Sequence, residues 1–191
     1  ACGTSGAATV TGSNTLHAGD WNAERSGTVT GVDDNLIDGR ITSNITIAVL
    51  DASSGDDFDG VADQTVSATT VDNDVAGFTI VQSGGSTSVA ETGTTDTFTV
   101  VLNAQPDSNV VLTITSSDTG EATVTGTLTF TAANWNSAQT VTVTGVNDNL
   151  VDGTITSTVT IAVNDGSSDN NFDPVADQTV SVTTTDNDTA G

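Results

Sequence analysis

The sequence predicts an all-β protein made of tandem antiparallel β-sandwich repeats of about 114 residues, and three observations carry that expectation. First, residues 8–77 align without a gap onto residues 122–191 at an offset of 114, with about two-thirds of the positions identical. Second, Val, Ile, Leu and Phe alternate with Thr or Ser through most of the chain, the period-2 pattern of half-buried strands. Third, about one residue in five is Thr, with no Met and only two Pro. β-Branched residues suit a pleated surface better than a helix. A long-period repeat denotes copies of one module, and 114 residues is the size of a sandwich domain.

The chain divides by this reading into a complete repeat, 77–191, and a partial one, 1–76, that lacks its opening strands. In the complete repeat the first strand is Phe78–Gln82, continuing after a Gly-Gly kink into Ser88–Glu91. Thr97–Leu102, Val110–Thr115, Ala122–Thr131, Thr140–Val146, Thr154–Val163 and Thr179–Thr184 follow, each alternating apolar with hydroxyl side chains. Trp21 and its repeat mate Trp135 each precede a strand, where a large aromatic is expected to close the core. The partial copy is either a window on a longer array or a sandwich whose missing strands come from a neighbouring chain. An unclosed sandwich would expose a strand edge and an apolar face.

The charge excludes several functions. Asp and Glu number 25 against two Arg, Arg25 and Arg40, and no Lys, a formal charge of −23. Phosphate backbones need clustered Lys and Arg, so nucleic acid is not an expected partner, and an anionic membrane would repel the chain. With one Cys, one His and no Tyr, the parts for triads, Cys–His pairs, Schiff bases and His-built metal sites are missing, so no enzymatic activity is expected. Cys2 reads as an incidental thiol and His17 as a surface strand position. The triplets Asn44-Ile45-Thr46 and Asn187-Asp188-Thr189 fit the glycosylation pattern, which arises often by chance in so Thr-rich a chain. No apolar run is long enough to cross a membrane as a helix.

The acidic residues are distributed by strand direction. If each strand crosses the sandwich once, Glu91, Asp118, Asn147, Asp148, Asp152, Asp186 and Asp188 all arrive at one pole, opposite the pole where the repeat is entered. Crowded carboxylates repel at neutral pH and are relieved by protonation or by a hard cation with many oxygen ligands. Calcium suits carboxylates, amides and carbonyls in loose geometry. In the first repeat Asp33, Asp34, Asp38, Asp72 and Asp74 take the matching positions, although Thr4 stands where Asp118 would be and a counterpart of Glu91 is missing. A second acidic loop, Asp165 through Asp169 with Asp173 and Asp177, falls at the entry pole, with a first-repeat copy at Asp51, Asp56, Asp57, Asp59 and Asp63. Calcium at the junction of repeats is expected to stiffen it.

These residues resemble the Calx-beta family. The resemblance rests on Val89-Ala90-Glu91 ending the first strand, the Gly126-Thr127-Leu128-Thr129-Phe130 strand, the acidic turn Asn147-Asp148 with Asp152, and the closing Asp186-Asn187-Asp188. It implies an Ig-like sandwich that binds calcium at one pole through such residues. The chain departs at Asn147 and Asn187, where the family's pattern is acidic, and at Asp152, where it has a Glu; the fewer charges imply weaker affinity of the kind that suits millimolar extracellular calcium. Tandem modules of this kind occur in large bacterial surface adhesins and matrix proteins. The expectation is a secreted or cell-surface structural module, a spacer, adhesin segment or filament, whose partners are neighbouring repeats of the same or an adjacent chain. The alternatives are a strand-donating filament subunit, and ice or carbohydrate binding by Thr rows such as Thr123, Thr125, Thr127, Thr129 and Thr131.

Overall fold

The computed structural model describes residues 7–12 and 14–191, so Cys2 and Thr4 lie outside the described residues. The chain forms two compact units, the first comprising residues up to Asp34 and Asp38–Asn73, the second Asn35–Ile37 and Asp74–Gly191.

In the first unit β1 (Ala8–Thr11) pairs with β2 (Thr28–Gly31), and β3 (Ile41–Ile47) pairs with β4 (Gln64–Thr70), both antiparallel. Hydrophobic burial is slight: among the described residues only Ala7, Ala8 and Ile45 are buried apolar groups of this unit. Trp21, expected to close a core, is 72% exposed. Asn14 and Gly27 stand where the second repeat has the buried core residues Leu128 and Val141, so the first unit has fewer apolar side chains from which to build a core.

The second unit is a nine-stranded sandwich. Its strands are β5 (Phe78–Gln82), β6 (Thr87–Ala90), β7 (Thr95–Leu102), β8 (Val110–Ser116), β9 (Ala122–Val124), β10 (Thr127–Phe130), β11 (Gln139–Gly145), β12 (Ile155–Val163) and β13 (Gln178–Thr185). One sheet has the order β10-β8-β12-β13-β6 and the other β5-β7-β11-β9. Phe98, Val100, Val141 and Val143 from one sheet meet Val110, Leu112, Val159, Ile161 and Val182 from the other in a single cluster, which Phe130 and Phe172 also join. Alternate residues of each strand point into this core, as the sequence alternation requires. Trp135 packs against it, as expected.

Two features depart from the sequence reading. The expected strand Ala122–Thr131 is broken at Thr125-Gly126, and its halves join different sheets: β9 pairs with β11, and β10 pairs with β8. Gly126 carries no side chain to clash at such a corner, which lets one run of alternating residues serve both layers. The pairings are antiparallel except for one, since β6 runs parallel to β13 from Thr87↔Val182 to Ala90↔Thr185. The kink between β5 and β6, formed by Gly84 at φ 61 and Gly85 at φ 83, moves the chain from one sheet to the other and makes that parallel pairing reachable.

The registers recur between repeats. Ala8 faces Gly31 as Ala122 faces Gly145, and Ile41 faces Thr70 as Ile155 faces Thr184. Burial does not recur: Ile47, Val66 and Phe58 are 59%, 51% and 60% exposed, whereas their mates Ile161, Val180 and Phe172 are at most 2% exposed. The first unit thus carries an uncovered apolar face.

Candidate metal centre

The parallel pair β6–β13 brings two chain ends to one pole of the second unit. Glu91 follows Ala90 directly, and its N–H continues the ladder by donating to the Thr185 carbonyl at 3.1 Å. Beyond Thr185 the chain turns through Asp186, Asn187 and Asp188, and the Asn187 N–H donates to Glu91 Oε2 at 3.2 Å. On the other sheet β9 begins just after Glu121, whose carbonyl accepts the Val146 N–H at 2.8 Å and so holds the start of the Asn147–Gly153 loop. Within that loop the Leu150 N–H donates to Asp148 Oδ1 at 2.7 Å. Gly153, at φ 79, donates its N–H to Asp186 Oδ2 at 2.8 Å.

Two groups of three carboxylates result, each with oxygens within 4.8 Å of one another: Glu91 with Asp148 and Asp188, and Glu91 with Glu121 and Asp152. They share Glu91, which is 1% exposed, and Glu121 is 6% exposed. Glu121 Oε2 and Asp188 Oδ2 are buried with no hydrogen-bond partner. Buried polar atoms are normally satisfied, and a buried carboxylate with neither donor nor cation costs the fold free energy. A hard divalent cation would satisfy both orphaned oxygens and offset the repulsion. The donor set is oxygen only, which fits calcium and not zinc.

The residues expected at this pole thus separate. Glu91, Asp148, Asp152 and Asp188 converge. Asp186 belongs to neither group, and both its oxygens accept main-chain N–H groups, from Asp188 at 2.6 Å and Gly153 at 2.8 Å. Asn147 Oδ1 accepts from Asn187 Nδ2 at 2.7 Å beside the groups, and Asp118 Oδ1 accepts the Gly120 N–H in the turn before Glu121. Asp33, Asp34, Asp38, Asp72 and Asp74 form no such group among the described residues. Asp72 Oδ2 instead accepts the Gly39 N–H at 2.8 Å, repeating the Asp186–Gly153 clamp. Glu121 was not legible as a ligand, although one signal existed: it is one of only three Glu in a chain whose other acids are all Asp, and its repeat mate is Ala7.

At the opposite pole Asp169, 5% exposed, fastens a loop rather than gathering acids. Asp107 and Ser108 donate N–H bonds to its Oδ2 at 2.7 and 2.9 Å, and Asn171 donates to Oδ1 at 2.9 Å.

The buried carboxyls titrate in two directions, according to whether burial and neighbouring charge or N–H donors prevail. Burial raises the Glu121 pKa above its ordinary value near 4.5, helped by Asp152, Asp118, Glu91 and Asp148. For Glu91 the Asn187 N–H lowers the pKa, but burial and the charges of Asp186, Asp148 and Asp152 together raise it. The Asp188 and Gly153 N–H groups hold Asp186 low. Burial pushes Asp169 up, and its three N–H donors outweigh that and lower it. A carboxyl with a raised folded pKa favours folding below its unfolded value, and that contribution is lost as pH rises through the raised value. A lowered one favours folding above its ordinary value near 3.8 and is lost as pH falls below it. Metal-free protein is therefore expected to melt higher near pH 4.5 than at pH 7, and lower again near pH 2.5. Calorimetric scans in chelator at these three values check it, and a melt that only falls on acidification from pH 7 to 4.5 contradicts it.

No protein-family model matches the sequence, and no curated protein matches it either. Among solved structures, domains 4 and 5 of the S-layer protein SbsC are similar at 23% identity over 83% of this chain, with a TM-score of 0.45. Domains 1–6 of the same protein match at 23% identity over 84% of the chain, with a TM-score of 0.47. The apo-form Calx CBD1 domain matches at 13% identity over 58% of the chain and 98% of its own length, with a TM-score of 0.41. The chain spans 62% of the SbsC two-domain structure and 18% of the six-domain one. Likeness at this level concerns β-sandwich architecture and carries no activity across.

Proposed function

We propose that the second unit binds calcium between Glu91, Glu121, Asp148, Asp152 and Asp188, and that the protein is a non-enzymatic, extracellular or cell-surface structural module stiffened by that ion. The observation that carries the reading is the pair of orphaned, buried oxygens, Glu121 Oε2 and Asp188 Oδ2, in two carboxylate groups joined at Glu91. Acidic turns that served only solubility would face water. The absence of Lys, the excess of acid and the Thr-rich strands agree with a surface role, as does the family resemblance of the motifs.

A ligand that binds only the folded state at 100 times its dissociation constant adds about 2.7 kcal/mol. For a unit of this size that corresponds to roughly 10 °C in melting temperature. Thermal melts by circular dichroism in millimolar calcium and in chelator are expected to differ by about this amount. Coincident melts would reduce the cluster to a strained acidic pole without a metal function.

A second reading, association of copies through the first unit, is supported by the uncovered Ile47, Val66 and Phe58. Light scattering across a concentration series separates the two. A mass that grows with concentration in both calcium and chelator favours assembly through that face.

A further inference from the structure

The second unit contains a short segment far from the rest of it in sequence, Asn35–Ile37. The Gln105 N–H donates to the Asn35 carbonyl at 2.8 Å, and Leu36 forms a parallel bridge with Gln105. Asn171 Nδ2 donates to the Ile37 carbonyl at 3.4 Å, and the Ile37 side chain packs against the core cluster. The segment is thus held by one parallel bridge and an apolar anchor.

Its repeat mate is Asn149-Leu150-Val151, identical at the first two positions and conservative at the third. The loop around each copy is shaped alike. Gly39 and Gly153 have φ of 70 and 79, and each donates its N–H at 2.8 Å to the aspartate that follows the last strand of its repeat, Asp72 or Asp186. Yet Leu150 and Val151 are 62% and 59% exposed, whereas Leu36 and Ile37 are partly buried. Two adjacent exposed aliphatic side chains, held in a fixed loop, have lost the covering that the same sequence finds elsewhere in this molecule.

We propose that Asn149–Val151 is a docking segment for another module of this same type: it adds to that module's Gln105 edge and seats Val151 on its core as Ile37 is seated here. The occupant is a further copy of the repeat rather than an unrelated protein, because Gln105, Asn171 and the core beside them already hold the matching sequence Asn35–Ile37 in this chain. In this chain that edge is already taken by Asn35–Ile37, so a separate copy of the same chain is a poor acceptor and a further module is needed.

The test uses the full chain and the same chain extended after Gly191 by one more copy of residues 78–191, both with Cys2→Ser. Val151→Cys is placed in each, and its maleimide labelling rate is measured in calcium and in chelator, with Ile37→Cys as the covered reference. Docking predicts that Val151→Cys labels about 10-fold or more slowly in the extended chain, approaching the reference, because reaction then requires local opening. Equal rates in the two chains overturn the proposal, and circular dichroism that grows with the added strands shows that the appended copy is folded. As a second readout, Leu150→Ser with Val151→Ser should lower the melting temperature of the extended chain and leave that of the 191-residue chain unchanged. Slowed labelling in chelator as well as in calcium separates this docking from the calcium reading.

Discussion

Glu121→Gln is expected to raise the melting temperature in chelator and to abolish most of the gain that calcium gives. Glu121 is buried beside Asp152, Asp118, Glu91 and Asp148, with one oxygen unpartnered, so its charge is a burden whenever no cation is present. The amide removes that charge at nearly the same shape and relieves the repulsion. The same change takes a carboxylate from the ion, and calcium affinity should fall by about 100-fold, the upper end of what a supporting group contributes to a metal site. Isothermal titration and paired melts read both effects. A variant that melts lower in chelator and keeps its affinity would show that Glu121 is satisfied in the fold and is no ligand. Asp118→Asn is the control: Asp118 belongs to neither carboxylate group, so its effect on affinity should be the smaller.

Gly145→Ala is expected to unfold the second unit or nearly so, while Gly31→Ala at the same repeat position is expected to be close to neutral. A Cβ on Gly145 would lie 2.1 Å from the Ala90 carbonyl oxygen and 2.7 Å from its carbon, both main-chain atoms that cannot swing aside. Here the end of β11 meets the end of β6 one residue before Glu91, so relief of the clash would displace the carboxylate shared by both groups. Overpacking ordinarily costs 1–3 kcal/mol, and a backbone collision belongs at about 3 kcal/mol or above. Among the described residues the Cβ added at Gly31 would meet only the Thr70 methyl, at 3.4 Å, and a side chain in an exposed strand also reduces the entropy lost on folding. Urea unfolding of each variant measures the difference. Equal stabilities would mean that β6 and β11 do not approach as closely as described.

The repeat and the strands were legible because both are local properties of the sequence. Alternation of Val, Ile and Phe with Thr marks a half-buried strand wherever it occurs, and β5 ends where the pattern ends, at Phe78 and Gln82. The Gly84-Gly85 kink between β5 and β6 was legible for the same reason. Trp21 misled because its surroundings were inferred from Trp135. Between residues 14 and 27 only Thr15, Ala18, Trp21 and Asn22 match the second repeat, and Asn14 and Gly27 stand where Leu128 and Val141 join the core there. The run Ala122–Thr131 misled differently: its alternation is unbroken, and no property of ten alternating residues says that Ala122–Val124 pair with β11 and Thr127–Phe130 with β8.

At the candidate site the sequence by itself determined which chemistry was available. A chain with 25 acids, one His and one Cys can offer a metal little but oxygen, and strand direction was enough to send Glu91, Asp148, Asp152 and Asp188 to one pole. Tertiary structure decided which of the acids there are free to bind. Asp186 and Asp188 lie two residues apart, yet one has both oxygens occupied by N–H groups while the other holds an orphaned buried oxygen. Glu121 joined the cluster because β9 crosses to the sheet of β11, a pairing between residues 19 to 23 positions apart. Composition and periodicity are sums over neighbours in the chain. Burial and the saturation of a carboxylate's lone pairs depend on which distant strands pack together, and so they were settled by the fold.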